Sequence, residues 1–156
     1  MIIPLTSPVK FAISTAAARK NIIEPYVLGA LLGDGCISKK YPELTTMDQD
    51  IVDRFTVYGY DMSKISKKAD SKATQYYIYS DKLAEAIKKL NLTGCTSINK
   101  FIPDLYKYAT VEERFELMQG LMDTDGSVDD RGHMSYSTIS KQLAEDVAFI
   151  VRSLGG

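Results

Sequence analysis

The chain has 156 residues, 45% of them apolar and 25% charged, with a net charge of -1; this is the length of one ordinary domain, and the composition excludes disordered, collagen-like and disulfide-dense proteins. No apolar run approaches the roughly 18–20 residues that a membrane span needs, and Met1-Ile2-Ile3-Pro4 lacks the basic flank of an export signal, so a soluble, cytoplasmic protein with no membrane partner is expected. Charge is segregated: residues 1–110 hold 15 Lys and Arg against 11 Asp and Glu, and residues 111–156 hold 4 against 9.

Residues 1–23 show no clear period and, with Pro4 and Pro8, are read as an extended lead-in. From Glu24-Pro25 the run Tyr26 to Leu32 predicts a helix with proline in its first turn, ended by Gly33-Asp34-Gly35. A hairpin follows, Cys36 to Ser38 and Glu43 to Thr46, with Tyr41-Pro42 near its turn, and then a helix marked by Ile51, Val52 and Phe55. A second hairpin pairs Met62 to Lys68 with Thr74 to Ser80, and a helix runs from Asp81 to Leu90. By the period of two, Lys64, Ser66 and Lys68 share one face of their strand, while Gln75, Tyr77 and Tyr79 alternate with Tyr76 and Ile78. Thr110 and Glu113 form a capping box ahead of a helical run from Phe115 to Met122, which ends in Asp123-Thr124-Asp125-Gly126. Beyond it lie a hairpin, Ser127 to Asp129 and His133 to Thr138, and a helix from Lys141 to Leu154. The two cysteines, Cys36 and Cys95, fit no metal-ligand spacing and are read as reduced thiols.

Helix, hairpin and helix thus occur twice, with Asp34 and Asp125 91 positions apart. That is an internal repeat. It divides the chain into the lead-in, a first copy over 24–109 and a second over 110–156 that lacks the second hairpin. Gly29 and Gly33 on one repeated helix and Gly120 on the other permit the two helices to approach closely. Such packing brings Asp34 and Asp125 together where helix carbonyls also point. An all-oxygen site of that kind suits a hard cation such as Mg2+, and bound cations can polarise a phosphodiester and activate the attacking water. A single Asp-Gly would read only as a helix end with a left-handed glycine; its recurrence favours the site. Seven lysines between Lys64 and Lys89, with Lys64, Lys67, Lys68 and Lys72 clustered, supply a basic stretch that reads either as a solvated hairpin or as a DNA footprint. Gln75, Tyr77 and Tyr79 are then placed to reach bases.

Val27-Leu28-Gly29-Ala30-Leu31-Leu32-Gly33-Asp34-Gly35 and Met118-Gln119-Gly120-Leu121-Met122-Asp123-Thr124-Asp125-Gly126 resemble the two LAGLIDADG, or dodecapeptide, motifs of homing endonucleases, the first in the form found in intein-embedded domains. Lys100-Phe101-Ile102-Pro103 resembles the K-x-I-P segment of intein endonucleases, 25 residues before Asp125, and the similarity extends through Ser137-Thr138-Ile139-Ser140. The resemblance implies an α+β fold of αββαββα repeats, here one complete copy and a truncated αββα copy, with antiparallel sheets and two packed motif helices. It implies metal-dependent, site-specific cleavage of double-stranded DNA, with Asp34 and Asp125 as metal-binding catalytic residues and Lys100 as a catalytic lysine. No splicing block follows Met1 and no His-Asn closes the chain, so self-splicing by this chain is not expected. Two alternatives stand beside the nuclease: a DNA-binding module that does not cleave, and one piece of a split intein-endonuclease completed by a second copy or a complementary fragment.

Overall fold

The computed structural model describes residues 6–11, 22–67 and 72–156, with backbone only for 64–67. Helix α1 (Pro25–Leu32) starts with proline at its first position, where the missing N–H would have no partner, and every residue from Tyr26 to Leu32 is buried. It leads into β1 (Gly35–Cys36), β2 (Glu43–Thr46) and α2 (Gln49–Val57), whose first turn is capped by the Asp48 carboxylate, accepting from Asp50 N at 2.9 Å. Then come β3 (Met62–Lys67), β4 (Thr74–Ile78) and α3 (Asp81–Lys89), the last capped by Ser80. A single helical turn, α4 (Asp104–Lys107), follows Pro103; its four residues are too few to show a period in the sequence. The capping box between Thr110 and Glu113 is made in both directions, and the helix it opens, α5 (Val111–Asp125), is longer at both ends than its apolar run from Phe115 to Met122. The strands β5 (Gly126–Val128) and β6 (Met134–Tyr136) precede α6 (Lys141–Ser153), which is capped by Ser140 and ends one residue short of Leu154.

The architecture is α+β with antiparallel sheets. Instead of two separate hairpins, the first four strands form one sheet in the order β1-β2-β4-β3, because β2 pairs with β4 from Glu43↔Tyr77 to Thr46↔Thr74. The sheet's inner face closes through Leu44 and Ile78 on α1 and on Leu83 and Ile87 of α3, with Tyr76 buried beside them in the register. The same core continues through Leu117 and Leu121 of α5 to Leu143, Val147 and Ile150 of α6. Strands β5 and β6 make a separate two-stranded sheet.

Helices α1 and α5 meet backbone to backbone. A Cβ on Gly29 would overlap the Leu117 carbonyl oxygen and stand 3.0 Å from Leu121 N; one on Gly120 would overlap the Tyr26 carbonyl oxygen and stand 2.7 Å from Ala30 N. Gly33 faces the Thr124 side chain instead. The rim of this interface is tied by Tyr26, whose hydroxyl donates to Asp123 Oδ2 at 2.9 Å while Arg54 lies 4.4 Å above its ring.

The Asp-Gly glycines are not left-handed. Gly126 is extended, at φ -83° and ψ 156°, and Gly35 is not among the glycines of positive φ. Each is glycine because the chain doubles back against its own helix: a Cβ would stand 2.5 Å from Leu31 O at Gly35 and 2.6 Å from the end of the Met122 side chain at Gly126. Both cysteines are free, Cys95 being buried. Among the described residues no helix is long and apolar enough to cross a membrane.

Candidate active site and nucleic-acid face

Because α1 and α5 pack so closely, their C-terminal ends deliver Asp34 and Asp125 to one open cleft of about 420 Å³, lined also by Gly33, Ser97, Lys100, Ser137 and Thr138. The two carboxyl groups interact directly. Burial pushes Asp34 above the ordinary carboxylate range, with Lys100 and the Asp125 hydrogen bond pulling the other way. Burial also raises Asp125, and the Asp34 charge raises it further. The pair therefore holds a proton more readily than two free carboxylates, and it titrates as a unit.

Lys100 is buried, 5% exposed, and its Nζ donates to the carbonyl oxygens of Gly33 at 2.6 Å, Gly35 at 2.7 Å and Leu31 at 3.1 Å. These three bonds use all the hydrogens of the ammonium group. They also engage one lone pair on each of the carbonyls at the end of α1 that the sequence suggested as oxygen ligands. Burial lowers the Lys100 pKa, while Asp125 and Asp34 draw it back up. In this geometry the lysine clamps the Gly33-Asp34-Gly35 turn and sets a positive charge behind the carboxylates.

The clamp is itself held from α6. Ser140 Oγ, which caps that helix, donates to Lys100 O at 2.6 Å, and Ile102 N donates to Asp146 Oδ2 at 2.8 Å. Asp146, 4% exposed, also takes Lys107 Nζ at 3.0 Å. Sequence reasoning missed both residues, since a helix-capping serine and a lone aspartate on a helix carry no signal of what they hold. Lys100→Met, which keeps the stem and removes the charge, leaves buried carbonyls unpaired; a stability loss of about 2–4 kcal/mol is expected in urea unfolding.

Tyr136, which the sequence suggests only as part of an apolar hairpin face, also reaches the cleft's electrostatics. Its hydroxyl is buried without a hydrogen-bond partner among the described residues, and burial and the charges of Asp125 and Asp34 push its pKa far up. It sits opposite Gly126 in the β5–β6 pair, one residue from the second carboxylate.

Among the described residues no group of three or more His, Cys, Asp and Glu is placed to hold a metal ion. The donor set is the two carboxylates, hard and all-oxygen. That suits a cation such as Mg2+, which usually keeps several waters and takes one or two protein carboxylates, and it does not suit Zn2+.

The candidate base-reading residues lie on the outer face of the larger sheet. The cross-strand row Cys36, Glu43, Tyr77, Ser63 begins two residues beyond Asp34 and runs across all four strands. Gln75 and Tyr77 are half-buried and Tyr79 is exposed. Glu43, 4% exposed, lies at the centre of this face: it accepts from Lys39 Nζ at 2.6 Å and Gln75 Nε2 at 2.9 Å, and it is hydrogen-bonded to Tyr77. Burial alone would raise its carboxyl, but these partners hold it below the ordinary range. The Gln75 amide and the Tyr77 hydroxyl are thus engaged with Glu43 rather than free. Around them, Tyr41 stacks edge-on with Tyr79 at 5.3 Å, and Lys40 lies 4.6 Å over the Tyr41 ring. Lys39, Lys40 and Tyr41 were not singled out from the sequence, although two lysines ahead of Tyr-Pro at the hairpin tip are a detectable signal.

The basic stretch falls differently from its sequence reading. A bulge between Lys64 and Ser66 puts Lys64 opposite Tyr76, Ser66 opposite Gln75 and Lys67 opposite Thr74. Since Tyr76 and Gln75 are consecutive in β4, the pairing register of Lys64 and Ser66 departs from the simple period of two on which the shared face was predicted. Lys72 is exposed; Lys68 lies outside the described residues, as do the side chains of Lys64 and Lys67.

Residues 112–155 match the LAGLIDADG-like domain. This stretch of the chain is LAGLIDADG-like. It includes Asp125, Ser140 and Asp146 but not Asp34 or Lys100. Over 137 residues the chain is 31% identical to the replicative DNA helicase DnaB of Mycobacterium intracellulare, covering 88% of this chain and 20% of that protein. It is 28% identical over 151 residues to a DNA gyrase subunit of Mycobacterium kansasii, covering 86% and 27%. With the ATP-dependent DNA helicase Hel308 of Methanocaldococcus jannaschii it shares 30% identity over 138 residues, 83% of this chain and 11% of the other. The chain therefore spans about a quarter or less of the length of these relatives.

Proposed function

We propose that this chain is the nuclease unit of an intein-encoded LAGLIDADG homing endonuclease, hydrolysing double-stranded DNA at a specific site with a divalent cation. The observation that carries the reading is the meeting of Asp34 and Asp125, delivered by two glycine-packed helices to one cleft backed by Lys100. The relatives support it in a second way. Two helicases and one gyrase component differ in activity, yet each matches this chain over only 11–27% of its length. A segment shared by otherwise different enzymes is what an inserted element looks like. The fold then reads as one full repeat and a second, shorter one.

Asp34 and Asp125, once ionised, would hold the cation, which when bound would polarise the phosphate, lower the pKa of the attacking water and stabilise the leaving oxygen. Lys100 keeps the Asp34 turn rigid, and its charge beside the carboxylates favours their ionised forms. The four-stranded sheet lies along the duplex, Lys39, Lys40 and Lys72 against phosphates and Tyr41, Tyr77 and Tyr79 toward the groove. When DNA approaches, exchange of the Glu43 hydrogen bonds for base edges releases Gln75 and Tyr77. Binding without cleavage is the second reading, favoured by a β5–β6 sheet that among the described residues has two strands against four in its counterpart.

Incubation with a randomised duplex library and Mg2+ distinguishes the two: selective cutting by the native chain but not by Asp125→Asn is the expected result, and retention without cutting supports the binding module. Each phosphate neutralised adds about 0.9 to the negative log–log salt slope, so four contacts from the lysines at 39, 40, 64, 67, 68 and 72 predict roughly -3.6. A slope near zero in a fluorescence titration would identify the basic stretch as a solvated hairpin.

A further inference from the structure

Two short segments far apart in the chain share one composition. Thr96-Ser97-Ile98-Asn99 and Ser137-Thr138-Ile139-Ser140 each set a single isoleucine among hydroxyl and amide side chains, and a lysine follows both. Both isoleucines are open to solvent, Ile98 69% and Ile139 71% exposed. One exposed isoleucine is ordinary on a protein surface. These two differ in where they stand and in how firmly their backbone is held.

Ile139 lies on the wall of the cleft that holds Asp34 and Asp125, and Ile98 follows Ser97, which lies on the same wall. The first segment is a turn closed from both ends: Thr96 N donates to Asn99 Oδ1 at 2.7 Å, and Asn99 N donates to Thr96 O at 3.1 Å. In the second, Ser140 N donates to Thr138 Oγ1 at 3.2 Å. The bond from Ser140 Oγ to Lys100 O, at 2.6 Å, then joins the residue after Ile139 to a residue two beyond Ile98. It fastens the two turns to each other and to the lysine behind the carboxylates. Side chains carried on turns fixed in this way can be pressed into a partner with little further loss of backbone freedom.

Whatever enters the cleft therefore meets apolar side chains that offer no donor or acceptor. The outside of a stacked duplex is mostly polar there, made of phosphate oxygens, sugar and the hydrogen-bonding edges of the bases. The large apolar surfaces of DNA are the base faces, and they are reachable only where a step opens. Isoleucine is among the side chains that proteins wedge between base steps, partly unstacking them and kinking the duplex.

We infer that Ile98 and Ile139 are a pair of wedges that open one base step beside the carboxylate cleft, and that the preferred substrate is duplex DNA with a pyrimidine–purine step at that place. TA and CA/TG steps are the ones that kink and unstack most readily. This rests on duplex DNA being what enters the cleft, and not on its being cut.

The test uses the full chain in chelator at low salt, with two duplexes that contain only A·T pairs. In one, A and T alternate along each strand, so every second step is TA; in the other, one strand is all A and no pyrimidine–purine step occurs. Neither needs a known register, and both carry 2-aminopurine at a few A positions, where fluorescence rises on unstacking. The native chain is expected to bind the alternating duplex about tenfold more tightly and to raise its fluorescence. The double variant Ile98→Ala/Ile139→Ala should lose both effects at an unchanged melting temperature, and Ile98→Leu/Ile139→Leu should keep them. Equal binding of the two duplexes by the native chain overturns the wedges alone, as does a double alanine variant that keeps the preference. Failure to bind either duplex overturns them together with the DNA reading of the cleft.

Discussion

Replacing Asp125 with asparagine is expected to lower DNA cleavage by at least about a hundredfold, since even outer-shell partners of metal ligands cost 10–100-fold when lost. The same change is expected to leave the metal-free protein folded and, near neutral pH, more stable. Both effects come from one geometry. The cleft gathers two carboxyl groups by close helix packing, and burial, reinforced at Asp125 by the Asp34 charge, raises their pKa values. For a group whose folded pKa lies above its unfolded value, the stabilising contribution is complete below the unfolded pKa, about 4 for a carboxyl, and is lost as pH rises through the folded value. In chelator, the melting temperature of the native chain should therefore carry a falling component as pH rises above about 4, and Asp125→Asn should flatten it. Millimolar Mg2+ at neutral pH should raise the native melting temperature by mass action and leave the variant unmoved. If the cation stabilises both proteins equally, it binds elsewhere and the cleft is not its site. Asp34→Asn should behave in the same way, because the two residues share one site.

How far this site could be read in advance depended on whether its logic runs through side chains or through backbone. The pairing of Asp34 with Asp125 was legible because each follows a helix with a glycine one or more turns earlier, and because the whole pattern recurs 91 positions on. The hydrogen bonds of Lys100, singled out as a candidate by its motif, were not: its three acceptors are main-chain carbonyls, which no residue pattern names. The Asp-Gly glycines serve a close approach and not the left-handed helix end that a single Asp-Gly would suggest, since steric demand between helix end and following strand exists only once the chain has doubled back. The outer sheet face shows the same limit. Alternation correctly separated Gln75 and Tyr77 from the buried Tyr76 and Ile78, but a bulge in β3 broke the period for Lys64 and Ser66. The sequence places Glu43 32 residues before Gln75, and only the pairing of β2 with β4 makes them neighbours.

Gly120→Ala is expected to destabilise the fold by about 2 kcal/mol, a fall in melting temperature of about 4–8 °C for a chain of this size, although alanine is the better helix former by about 1 kcal/mol. Propensity loses here because the added methyl would meet backbone. Its nearest neighbours are the Tyr26 carbonyl oxygen and, at 2.7 Å, Ala30 N, and neither can turn aside as a side chain would. Relief requires α1 and α5 to separate, which loosens Leu117 and Leu121 against Leu28 and Leu31, all of them at most 1% exposed. The same separation moves Asp34 away from Asp125, so cleavage should fall by more than the loss of folded protein explains. Gly29→Ala, whose methyl would overlap the Leu117 carbonyl oxygen from the other side, should match it closely. Gly132→Ala supplies the contrast: it sits at φ 81° in the β5–β6 loop with nothing near its Cβ position, so its cost is local backbone strain of about 1 kcal/mol with the cleft intact. Thermal melting of the three variants, read beside Mg2+-dependent stabilisation, separates the two kinds of loss. Should Gly120→Ala melt with the native chain, the helices would not be in backbone contact, and the convergence of the two carboxylates would need another cause.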